Sequence, residues 1–189
     1  MPDIRHTIIA KSDQWNADDL LGQKPMDLRI LGVEVRDSGE QMVSVYFAGR
    51  PNDRPWKPCK TMLRLLSAAW GPESEDWHDR WCRVYRDDAV TFGKDAVGGI
   101  RVSHVSHIAD ASMRIAVNST RGRKKMIEVG RLEAVDLVMA DLGMSAEQVN
   151  AWLASKDKPP IQKLAPHERD MLAGALPKNI EAIKGVGSE

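Results

Sequence analysis

A β-barrel carrying one helix, followed by a small helical module, is the fold that these 189 residues predict. The class is mainly β with α. Three observations point there. Runs of period-two hydrophobicity flank a single amphipathic helical stretch, glycine or proline stands at nearly every break, and the period changes to 3.6 beyond residue 131.

After a polar lead-in, "KPMDLRILGVEVRDSGEQMVSVYFAGR" reads as a β-hairpin. Met26, Leu28 and Ile30 alternate with Asp27 and Arg29, and Val33 and Val35 resume the alternation after Gly32, a bulge position. "DSGE" at 37–40 supplies the turn, and "QMVSVYF" returns with Val43, Val45 and Phe47 on one face. The proline-dense "RPNDRPWKPCK" can hold only an edge strand or an extended connection. "TMLRLLSAAWG" has no internal glycine or proline. Thr61 can cap its start, Gly71-Pro72 stops it, and positions 62, 65, 66, 69 and 70 share one face. "WCRVYRDDAVTFG" and "AVGGIRVSHVSHI" are again strands, with Gly98-Gly99 kinking the last one.

The order strand, strand, short edge strand, helix, strand, strand is that of an OB-fold, a five-stranded barrel with one helix between strands 3 and 4. A strongly twisted sheet packed on one helix is the alternative. Beyond it, "RLEAVDLVMADLG" is helical to Gly143, "SAEQVNAWLASK" opens with a capping-box spacing from Ser145 to Gln148, and "APHERDMLAGAL" restarts with Pro166 in its first turn. Leu137, Val149, Trp152, Leu153, Leu164, Met171 and Leu172 would form the core of that miniature bundle. The expected organisation is a polar lead-in (1–25), the barrel (26–110), a basic connector (111–131) and a small helical module (132–189).

Charged residues are 29% and apolar ones 42%, a globular balance. No apolar run approaches the roughly 18 residues that span a bilayer. The start, "MPDIRHTIIAKSDQW", lacks the apolar core of a signal peptide. Cys59 and Cys82 suggest a reduced compartment, so the expected location is the cytoplasm. Net charge is zero, yet residues 111–131 carry six Lys or Arg against Glu128 alone, a basic band suited to a polyanion.

Several motifs fail on spacing. His104 and His107, three apart on a strand, point to opposite faces, so no metal site is expected. The glycines of residues 93–99 stand between strands, where no helix N-terminus can meet a phosphate. No nucleophile has a nearby base, and the acidic clusters Asp87-Asp88 and Glu73/Glu75/Asp76 read as solvated turns. No catalytic residue and no cofactor is therefore expected. The stronger signal is aromatic residues interleaved with cations: Trp56, Lys57, Lys60, Arg83, Tyr85, Arg86, Phe92, Lys94 and Arg101, extended by Arg121, Arg123, Lys124 and Lys125. Single-stranded nucleic acid needs rings for its bases and cations along its backbone.

"KPMDLRILGVEV", "VSVYFAG…WKPCKTMLRLLSAAWG", "EDWHDRWCRVYRDDAVTFG" and "VGGIRV" together resemble phage- and prophage-encoded OB-fold-like single-stranded DNA-binding proteins. The resemblance covers about residues 15–108. It implies DNA replication or recombination as the context, and the host cytoplasm as the location if the chain is phage-encoded. The expected function is non-catalytic single-stranded DNA binding. The alternatives are a protein–protein adaptor using the C-terminal helices and, behind it, a DNA-processing nuclease. A protein partner for residues 132–189 and a homo-oligomer are both compatible with the sequence; a membrane is not an expected partner.

Overall fold

The computed structural model describes residues 12–37, 42–51, 53–118 and 124–186, apart from the side chains of Phe92 and Asn118. Its strands are β1 (Met26–Val35), β2 (Val43–Phe47), β3 (Trp81–Asp87), β4 (Thr91–Phe92), β5 (Asp95–Ala96), β6 (Gly99–Val105), β7 (Ser112–Asn118) and β8 (Lys124–Arg131). Its α-helices are α1 (Lys60–Trp70), α2 (Ala134–Leu142), α3 (Ala146–Ala154), α4 (Pro166–Ala175) and α5 (Ile180–Val186).

The expected hairpin forms as β1 and β2, with its register shift between Ile30 and Gly32. The turn placed at 37–40 falls largely outside the described residues. Helix α1 starts at Lys60, with Cys59 rather than Thr61 at the cap, and ends at Gly71, whose φ of 93° suits a residue without Cβ. Met62, Leu65, Leu66 and Trp70 are buried, on the face that the spacing predicts. They meet Leu28, Ile30, Val45, Cys82, Val84, Val102 and Val105 in one core, and the Trp70 indole N–H donates to the Ser106 carbonyl at 2.8 Å.

The barrel is a correction. Six strands form an open mixed sheet in the order β2-β1-β3-β6-β8-β7, with β2 and β7 as its edges. Closure fails for a reason of register. Residues 112–118 and 124–131, expected as a connector, pair antiparallel as β7 and β8. Strand β8 then joins β6 in parallel, registered only at His104 with Gly130 and Val105 with Arg131. The hairpin thus extends the sheet outward instead of returning to the first strands. Among its described residues the proline-rich segment forms no strand. Only Trp56 pairs, with Val45 and Trp15, because Pro55 and Pro58 on either side lack the N–H that a ladder needs.

The C-terminal part follows its signals closely. Gly143 ends α2 in the left-handed conformation (φ 63°), and the Ser145–Gln148 capping box opens α3. Pro166 stands in the first turn of α4, and the chain continues helically through Leu176–Asn179 into α5, a 21-residue run. Val149, Trp152, Leu153, Leu164 and Leu172 are buried as expected, whereas Met171 is 73% exposed. Trp81 is the strand residue that joins this second core. Beneath it, Arg131, at the end of β8, donates to the Ile108 and Pro166 carbonyls and pairs with Asp170 at 2.9 Å and Glu133 at 3.1 Å. Among the described residues no helix is long and apolar enough to cross a membrane.

Candidate nucleic-acid interface

Alternation along β3 separates two chemistries. Cys82 and Val84 enter the core beneath α1, while Arg83 and Tyr85 lie on the other face, half-buried. Register then assembles rows across that face. Asp27 stands opposite Arg83, and Arg83 opposite His104. His104 stands beside Gly130, and Gly130 opposite Ser112. Tyr85 pairs directly with Arg101 in the neighbouring row. The His104 ring lies over Gly130, where a Cβ would come within 2.5 Å of it and make the ring move aside.

The cations on this face are not all free. Arg83 makes a two-pronged contact with Asp27 (2.7 and 2.8 Å), which raises the pKa of its guanidinium and leaves the side chain 37% exposed. Arg101 lies 3.9 Å from Asp87, a distance that a phosphate could compete with, and its Nη1 is 3.5 Å from the Cys59 sulfur. Burial and the Asp87 charge raise the Tyr85 hydroxyl pKa, so it stays a neutral donor and its ring a neutral platform. Burial, then the Arg83 charge, lower the His104 pKa.

Other predicted residues fall elsewhere. Trp56 is 3% exposed and stacks on Phe47 at 5.9 Å, so it belongs to the core and offers no face to a base. All six tryptophans are likewise at most 8% exposed. Arg86 lies on the α1 side, held by Asp88 at 2.6 Å and Asp18 at 2.8 Å, with Gly98 making room for its guanidinium. Lys57 is tied to Asp13 at 2.7 Å, and Lys60 is exposed at the start of α1. Lys94 is exposed in the turn between β4 and β5, where the backbone of Phe92 pairs with Asp95. Alternation splits Lys124 from Lys125: with Met126, Glu128 and Gly130, Lys124 shares the His104 face, while Lys125 takes the other. Arg121 and Arg123 lie outside the described residues.

The candidate face therefore carries Arg83, Tyr85, Arg101 and Lys124 of the expected residues, and with them His104, Met126 and Arg114, the last paired with Glu128 at 2.8 Å. Period-two apolar positions, Met113, Ile115 and Val117 against Ile127 and Val129, carried the signal for the missed strands. His107, expected on a strand, lies beyond the end of β6 with φ of 60°, and burial with Arg80 and Arg131 nearby pushes its pKa down to about 3. Comparison with protein-family models, with curated proteins and with solved structures finds no match.

Proposed function

We propose that this chain binds single-stranded DNA without catalysis, in replication or recombination of phage DNA, through the sheet face that α1 leaves uncovered. The observation that supports it most is the pairing of Tyr85 with Arg101, next to Arg83 and His104. One ring and two guanidiniums on adjacent strands match the needs of a stacked base and its flanking phosphates. Lys124 and the basic band continue the phosphate track along the β7–β8 hairpin. Because stacking rests on Tyr85 rather than on several tryptophans, the reading is of moderate, salt-sensitive affinity with little sequence preference.

The test is fluorescence anisotropy of a labelled oligothymidine titrated with the protein at several salt concentrations. Binding that weakens steadily with salt, and that Tyr85→Ala reduces about tenfold, is expected, since a stacked base is worth roughly 1–3 kcal/mol. Binding that Tyr85→Ala leaves unchanged would move the site elsewhere. An adaptor is the second reading. It is favoured by Met171, 73% exposed on α4, and would show as no oligonucleotide binding at low salt.

A further inference from the structure

We propose that the cleft between the Trp81 end of the sheet and helices α2 and α4 binds the phosphomonoester of a nucleotide, either free or at the end of a bound strand. The strand-end form rests on the DNA-binding reading above; the free form does not.

The cleft holds about 530 Å³, the size of a small-molecule site. Its polar wall is made by Arg29, His78, Asp79, Arg80, His107 and His167. Of the two carboxylates that reach the cleft, Asp79 is engaged through both oxygens and Asp170 through Oδ2, its buried Oδ1 having no hydrogen bond. Asp79 meets Arg29 at 3.4 Å and His78 at 3.2 Å, and Asp170 takes Arg131 at 2.9 Å. Arg80 is different. Its Nε donates to the Asp76 carbonyl at 2.9 Å, and among the described residues no carboxylate pairs with it, so its terminal nitrogens stay available. A guanidinium with no carboxylate in salt-bridge contact, its charge felt by Asp170 only at longer range, suits a phosphate, whose three oxygens accept from several donors at once.

His107 contributes a further donor. The Ser106 hydroxyl accepts the Trp81 backbone N–H at 2.9 Å and lies 2.7 Å from His107 Nδ1. In the tautomer in which the Ser106 hydroxyl donates its proton to Nδ1, Nε2–H is the donor of the neutral ring. The lining also includes the apolar Val138, Met171 and Pro177, which suit a sugar and base, Met171 being adaptable in shape.

Backbone conformation adds an independent observation. Three described non-glycine residues have positive φ, and two of them, Asp79 (59°) and His107 (60°), line this cleft. Such conformations persist where the surroundings enforce them, and they cluster at binding sites. The Arg29–Trp81 pair also lies in the next row from Asp27–Arg83 on the same face, so the cleft continues the candidate interface.

Calorimetric titration with thymidine monophosphate, thymidine and inorganic phosphate tests the cleft, and 5′- and 3′-phosphorylated oligothymidine against the unphosphorylated strand tests the source. The monophosphate should bind at least tenfold more tightly than thymidine, and Arg80→Gln should remove about tenfold of that affinity, the worth of a charged hydrogen bond. His167→Gln, at an exposed position on the cleft wall, should weaken monophosphate binding as well while leaving the unfolding midpoint little changed. A terminal phosphate that tightens oligonucleotide binding identifies the strand end; monophosphate binding without that effect identifies free nucleotide. Monophosphate binding with no oligonucleotide binding sustains the cleft and refutes the DNA reading. Oligonucleotide binding with monophosphate no tighter than thymidine refutes the cleft and leaves the DNA reading intact.

Discussion

Replacing His107 with Asn removes one titrating group at a position that must keep a left-handed backbone, which Asn tolerates better than most residues. In the folded chain His107 is 18% exposed and resists protonation down to about pH 3, through burial first and then Arg80 and Arg131. Asp170, 3.9 Å away, would favour the imidazolium, but Arg131 already engages its charge, and burial raises the Asp170 pKa. Arg29, His78, Asp79 and His167 face the same cleft. The unfolded chain protonates this histidine near its ordinary value of 6.5. Between about pH 6.5 and 3 the unfolded state therefore binds one more proton than the folded one, so stability falls as pH falls, by about 1.4 kcal/mol per pH unit. From pH 6.5 to about pH 4 the loss is roughly 3 kcal/mol. Asp136 and Asp170, whose pKa values burial raises, act in the opposite sense, and both proteins keep them. The measurement is urea unfolding of both proteins in phosphate-free buffer across this range. The wild-type stability should fall more steeply by about one proton. Parallel curves would refute the placement of a buried, neutral His107.

Three further outcomes follow from packing and charge. Gly130→Ala puts a Cβ 2.5 Å from the His104 ring at the one junction between β6 and β8, and should cost about 1–3 kcal/mol in urea unfolding. Trp81→Ala empties the position that joins the sheet to the helical core, and should cost about 3–5 kcal/mol, with faster amide exchange in α2 and α4 than in α1. Replacing Arg121, Arg123, Lys124 and Lys125 with Gln should flatten the salt dependence of oligonucleotide binding by about 0.7 for each phosphate that is no longer neutralised, with the unfolding midpoint little changed.

Local signals were legible, and long-range ones were not. The β1–β2 hairpin, its irregularity near Gly32, the buried face of α1 and the Ser145 capping box each depend on a few neighbouring residues. The openness of the sheet depends on where β8 docks, a registration at two positions between strands far apart in sequence. Strands β7 and β8 were hidden because six cations in twenty-one residues resemble a solvated linker, although Ile115, Val117, Ile127 and Val129 alternate beneath them. At the candidate interface, alternation in β3 identified Arg83 and Tyr85 as neighbours on one face, and register then brought Arg101 to Tyr85. Trp56 misled because proline-flanked aromatics are often exposed, whereas here the bridge to Val45 folds the ring onto Phe47. Charge count alone also overstated the free cations, since Arg86 and Lys57 meet carboxylates from segments distant in sequence.

Photo-cross-linking tests most directly whether the sheet face opposite α1 carries the DNA. An oligonucleotide containing 5-iododeoxyuridine, irradiated with the protein and analysed by mass spectrometry, reports the aromatic side chain on which a base stacks. The expected result is an adduct on Tyr85 that Arg101→Gln diminishes. Adducts confined to the α2–α5 helices, or no adduct at all under conditions where the oligonucleotide binds, would contradict that placement.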